Sequence, residues 1–137
     1  MNNDRLKFRT PWYLGDKFAG FQYWEFEHGR VKLIGEYWRP WVIRRAELTA
    51  KPDEQCTGLS DKNGNLIYEG DYVGFYVYEQ DENWHGWHGT VIWYISSFGI
   101  ETSSRFIHFE NDIPMANPQG IEIIGNIHEQ TEQKDKQ

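Results

Sequence analysis

The sequence predicts an all-β protein, built as an N-terminal β-meander subdomain packed with a small C-terminal barrel. Three observations carry this. Short runs rich in aromatic and β-branched residues are separated by turn residues, as in sheets rather than helices. Val73, Phe75 and Val77 alternate with Tyr72, Tyr76 and Tyr78, the two-residue period of a strand with one face in a core. Asn63-Gly64 sits between two strand-like segments as a strong hairpin signal, because both residues tolerate positive φ. With 137 residues the chain is the size of one domain and buries roughly two thirds of its unfolded surface. Its organisation reads as residues 1–50, residues 51–130 and a frayed polar tail over 131–137.

Leu6-Lys7-Phe8-Arg9 alternates apolar with basic residues and reads as a half-buried strand stopped by Pro11. Phe18 to Glu27 is aromatic-rich, lacks a helix cap and reads as strand; His28-Gly29 turns it back into Val31 to Tyr37. Pro40 removes a ladder donor, so Glu36 to Arg45 is an edge or bent strand. Ala46 to Gln55 reads as a connector, with a helix over Arg44 to Ala50 as the alternative.

The second part opens with Cys56 to Ser60, turns through Asp61-Lys62-Asn63-Gly64 and re-enters at Asn65 to Tyr68. Glu69-Gly70-Asp71 makes another turn before Tyr72 to Tyr78. Glu79 to Gly89 reads as a loop, and Thr90 to Ile95, apolar on both faces, as a central strand. Ser96-Ser97 marks a turn before a strand pair, Phe98 to Thr102 and Arg105 to Phe109. Asn111 to Gly120 is a loop and Ile121 to Ile127 a closing strand. The expected shared core is Val73, Phe75, Val77, Val91, Trp93 and Ile123.

Net charge is -7, which argues against a general nucleic-acid coat. Residues 1–55 carry ten Lys or Arg against eight Asp or Glu, whereas residues 56–137 carry four against thirteen. A weakly basic part facing a strongly acidic one suggests attraction within the chain or between subunits. No apolar run approaches the roughly 18 residues of a membrane-spanning helix, and the start lacks a secretory pattern. The single cysteine, Cys56, forms no intrachain disulfide and reads as a packed thiol, fitting a reducing cytoplasm.

Four blocks resemble the YopX family: Leu6-Lys7-Phe8-Arg9 with Trp12; the run from Thr57 to Val73; Gly89-Thr90-Val91-Ile92-Trp93; and Ile121 to Glu129. The middle blocks are the specific ones, with Thr-Gly-Leu-Ser-Asp-Lys-Asn-Gly from Thr57 followed by Ile67-Tyr68-Glu69-Gly70-Asp71. Cys56 and His128 depart from the family, whose members often carry aromatics there, as does the tail rich in Gln, Glu and Lys. The resemblance implies an all-β architecture, phage or prophage origin, no known catalytic residues and a role not established. The short strands around Gly-Asp-x-Val and Gly-x-Val also look like an SH3-like small β-barrel, a fold that does not choose among peptide, nucleic-acid and subunit partners.

Trp84-His85-Gly86-Trp87-His88-Gly89 invites a metal reading, but two imidazoles need further ligands that no spacing supplies, so no metal or cofactor is expected. Glu69 and Asp71 are the minimum for a carboxylate pair, yet Asp71 reads better as a turn cap on backbone amides and Gly70 as the source of an unusual φ. Ser96-Ser97 and Ser103-Ser104 lack triad partners. No enzyme is predicted.

Aromatics make up 17% of the chain, more than a core of this size readily hides. Tyr72, Tyr76 and Tyr78 form a stripe, and two readings stay open: packing against the N-terminal part, or contact with another molecule. Trp38, Arg39, Trp41, Arg44 and Arg45 form a basic and aromatic cluster. The expectation is a non-enzymatic accessory protein acting through protein association, as a homo-oligomer or with a host or phage protein. The alternative is a single-stranded nucleic-acid binder using residues 38–45.

Overall fold

A computed structural model describes residues 6–94, 97–103, 106–108 and 120–129. The side chain of Val77, residues 111–119, where a loop was expected, Ser96, Ser104, and residues 131–137, where a frayed tail was expected, lie outside the described residues. The first three strands are β1 (Lys7–Leu14), β2 (Lys17–Glu27) and β3 (Arg30–Trp38), an antiparallel meander. β2 turns into β3 through His28 and Gly29, both at positive φ, the two-residue loop whose twist matches its strands. Next come β4 (Thr49–Ala50), β5 (Glu54–Ser60) and β6 (Leu66–Tyr68). The remaining strands are β7 (Asp71–Tyr78), β8 (Trp84–Tyr94), β9 (Ser97–Glu101), β10 (Phe106–His108) and β11 (Glu122–Asn126).

These strands make two antiparallel sheets, β3-β2-β1-β5-β6 with β4 beside β1, and β10-β9-β8-β7-β11. Neither sheet closes on itself, so the all-β class holds and barrel closure does not. β5 and β6 join the meander's sheet through β1, so residue 50 is not a sheet boundary; the chain changes sheet at Glu69-Gly70. The expected core is found at Val73, Phe75 and Val91, with Ile67, Phe98, Ile100, Ile107 and Ile121 added, and Ile123 packed at its margin. Ile67 comes from the first sheet, so this core joins the two.

Four local expectations need correcting. Pro11 does not stop β1: it lies inside the strand, where the second edge changes partner from β5 at Arg9 to β4 at Trp12, and a missing N–H there breaks no ladder. β3 is an edge strand, as one of the two readings had it, but it stops at Trp38, so Pro40 follows it and does not bend it; one 3-10 turn at Arg45–Glu47 stands where a helix was the alternative. Trp84 to Gly89 is strand, not loop, paired along β7 from Tyr78↔Trp84 to Val73↔Gly89. Trp93 shares the parity of Val91 but sits at the strand end, 51% exposed, its ring edge-on to Phe98.

The Asp61–Gly64 turn forms as read, with one refinement. Gly64 N–H donates to Asp61 O, Asp61 N–H donates to Asn65 O, and the positive φ falls on Gly64 alone. It is a turn followed by a glycine bulge, and the Asp61 carboxylate receives the Asn63 and Asn65 amides from inside it.

Candidate functional site

The most concentrated polar chemistry is buried, and it starts at Arg9. The expected alternation does not hold in β1, which buries Arg9, Thr10 and Pro11 in succession; Arg9 lies inside while Leu6, just ahead of the strand, is exposed. Arg9 Nε donates to Glu54 Oε1 at 2.8 Å, Nη1 to Asp71 Oδ1 at 2.8 Å and Nη2 to Glu69 O at 3.2 Å. The Phe21 and Tyr68 rings lie 4.2 and 5.1 Å from the guanidinium, adding cation–π attraction. Asp71 Oδ2 also accepts the Tyr68 amide at 2.8 Å, the turn-capping role read from sequence, now joined to an ion pair. His128 Nε2 lies 2.8 Å from Glu54 Oε2, and its Nδ1 meets the Tyr13 hydroxyl. The imidazole stacks on Phe18, centroids 5.2 Å apart and planes 16° from parallel, so it fills an aromatic's place while bonding as a polar group.

Electrostatically this cluster is spent on cohesion. Burial alone would lower the Arg9 pKa; Asp71 and Glu54 outweigh it and hold the guanidinium above its ordinary value. Burial pushes the Asp71 carboxyl up, with Arg9 and the Tyr68 amide pulling against it. Burial likewise raises Tyr23 and Tyr68, which stay neutral phenols. Above them an open cleft of about 660 Å³ runs between the sheets, lined by Arg9, Phe21, Tyr23, Tyr37, Tyr68 and Asp71 among others.

The solvent side of the second sheet is different. Tyr76 and Tyr78 are 52% and 55% exposed, and Trp84, opposite Tyr78, is 43% exposed with its ring edge-on at 5.5 Å. Tyr72 sits at the other end, its hydroxyl on His88 Nδ1. Gly74 and Gly86 share the parity of the tyrosines, and the Tyr76 ring lies over Gly86, so the backbone makes a flat floor between rings. The first sheet does not cover Tyr76 and Tyr78.

The second predicted cluster is not brought to this face. Trp38 ends β3 in the first sheet; Arg45 lies 4.9 Å over its ring and pairs with Glu36 at 3.1 Å. Trp41 is capped by Lys17 at 4.2 Å, and its Nε1 is buried without a hydrogen-bond partner among the described residues. Arg39 is half-buried and its amide donates to Ala19 O. Arg44 is exposed, 3.7 Å from Glu47. One face of each tryptophan is therefore already taken by a cation of its own chain.

His85 and His88 fall on opposite faces of β8, because a strand alternates: His85 goes to Asp81 and Glu79, His88 to Tyr72. Among the described residues no group of three or more His, Cys, Asp or Glu is placed to hold a metal ion. Cys56 is buried, and its Sγ accepts the Gly58 amide at 3.4 Å. No helix among the described residues is long and apolar enough to cross a membrane. Sequence reading missed Arg9, Glu54 and His128, since their partners lie 45 to 115 positions away.

Comparison with curated proteins returns no match. A family model described as YopX protein matches residues 43–133. The match holds both turns of the Thr57–Val73 run, the carboxylates that grip Arg9, and β11 with His128; the N-terminal block at Leu6 to Arg9 and Trp12 lies outside it. Covering more than half of the chain, it shows that the protein belongs to the YopX family.

Proposed function

We propose that this protein is a phage or prophage accessory factor that works in the bacterial cytoplasm by protein association, with no chemistry of its own. The observation that carries the reading is the exposed aromatic face of the second sheet, with Tyr76, Tyr78 and Trp84 presented over a glycine floor. Rigid aromatic area of this kind binds partners at low entropic cost. The buried groups that could do acid–base work are already bonded to one another, which supports a non-enzymatic role. Nucleic acid is the weaker partner. From Gly64 to Ser104 the chain has no Lys or Arg, so the aromatic strands bring no phosphate contacts.

The test places a photo-crosslinking amino acid at Tyr76 in protein expressed in a bacterial host, with a control at Lys32. Protein adducts at Tyr76 that vanish when Tyr78 and Trp84 become Ser are expected. Nucleic-acid adducts, or none at any expression level, would overturn the reading.

A further inference from the structure

We infer that the aromatic face of the second sheet receives the Ile43-Arg44 loop of a second copy of this chain, in a head-to-tail contact. The inference rests on reading that face as a protein-contact surface and goes on to name an occupant.

The face is apolar at its centre and acidic at its border. Tyr78 and Trp84 flank the β7–β8 turn with Glu82, while Glu79 and Asp81 turn to His85 on the other face; Glu101 and Glu122 lie on the aromatic side by register, Glu122 paired with Lys62 at 3.1 Å. None of its five strands contains a Lys or Arg. What completes such a surface is a short apolar group next to a cation, able to lie on the rings and reach the carboxylates.

The chain presents that pair elsewhere on itself. Ile43, between β3 and the 3-10 turn, is 89% exposed, the highest exposure among the exposed large hydrophobics described. Arg44 beside it is exposed and held only by a 3.7 Å surface pair with Glu47. Arg45, by contrast, is engaged with Trp38 and Glu36 and keeps the loop's base in place. Loop and face lie on different sheets, so the loop of one copy meets the face of the next. Such a contact leaves one unused loop and one unused face on every dimer, and assembly proceeds to a ring or a filament.

Mixing two damaged copies tests this. One carries Ile43→Ser with Arg44→Glu, the other Tyr76→Ser with Tyr78→Ser; all four positions are exposed, and circular dichroism checks that both variants fold. Light scattering on the unaltered protein at about 50 mM salt is expected to show species larger than a dimer, which shrink at about 500 mM as exposed charges are screened. Each variant alone is expected to be monomeric. Mixed in equal amounts they are expected to form one-to-one dimers and stop there, since one intact loop and one intact face remain. A monomeric unaltered protein at low salt, a variant that dimerises alone, or a mixture that stays monomeric would each overturn the inference. A foreign protein adduct at Tyr76 would survive any of these results, so the broader reading of the face stands or falls separately.

Discussion

Arg9 and Asp71 are separated by 62 positions and meet at 2.8 Å, tying the first strand of one sheet to the first strand of the other. With Glu54 on its other side, the buried guanidinium has two carboxylates inside the protein. Arg9→Met is expected to cost about 3–5 kcal/mol, most of it the penalty of leaving buried carboxylates unpaired. Adding Glu54→Gln and Asp71→Asn to the same chain should recover part of that loss. Urea titration of the single and triple variants measures both; a triple variant no more stable than the single one would mean the charges are not the reason.

Two glycines at positive φ separate strain from collision. An added Cβ at Gly64 meets nothing within 4 Å, whereas at Gly70 it would stand 2.7 Å from Glu54 Oε2. A carboxylate that end-on could usually move aside, but Arg9 and His128 hold this one. Gly70→Ala is expected to lower stability by about 1–2 kcal/mol more than Gly64→Ala, which pays backbone strain alone. Equal melting temperatures for the two would contradict this.

Phe75, 2% exposed in the core that joins the sheets, is the test of the packing. Replacement with Ala should destabilise by about 3–5 kcal/mol. A change below about 1 kcal/mol would show that the site collapses without loss.

The exposed Glu36 carboxylate accepts from Gln22, Trp38 and Arg45, which together hold its pKa below the ordinary 4.5. The lowered value means its contribution to stability is present above that ordinary value and is lost as pH falls through the folded one. NMR titration of the side-chain carboxyl is expected to show the low value in the unaltered protein and a rise with Gln22→Ala. An unchanged titration would remove the network.

Burial raises Tyr23 and Tyr68 above the ordinary 10.0. The unfolded chain releases those protons first, so stability should fall as pH rises from that value towards the folded ones. Ultraviolet titration of the folded protein should find these two phenols ionising above the ordinary 10.0. Ionisation of Tyr23 and Tyr68 at or below that value would contradict their burial.

Where sequence and structure agree, the signal is local. The Asp61–Gly64 turn and the Val73–Phe75 alternation each depend on neighbours within a few positions, and both are found. Trp84 to Gly89 escaped because its two faces, Trp-Gly-His outward and His-Trp-Gly inward, show no hydropathy contrast; only pairing with β7 makes it a strand. Arg9 escaped because burial of a guanidinium depends on carboxylates supplied by β5 and β7. The tyrosine stripe of the candidate site was legible from period alone. What stands beside it, Trp84 and the glycine floor, became visible only with the register of β8.

His128 meets Tyr13 across 115 positions, nearly the whole length of the described chain. Synthesis must therefore pass His128 before the aromatic pocket around Phe18 and Phe21 can be sealed. Contacts this distant pay their loop-closure entropy late, which makes for slow folding and a nascent chain with an open apolar seam. A chain cut before His128 would leave Tyr13 and Glu54 without this partner and the pocket beside Phe18 and Phe21 open on that side.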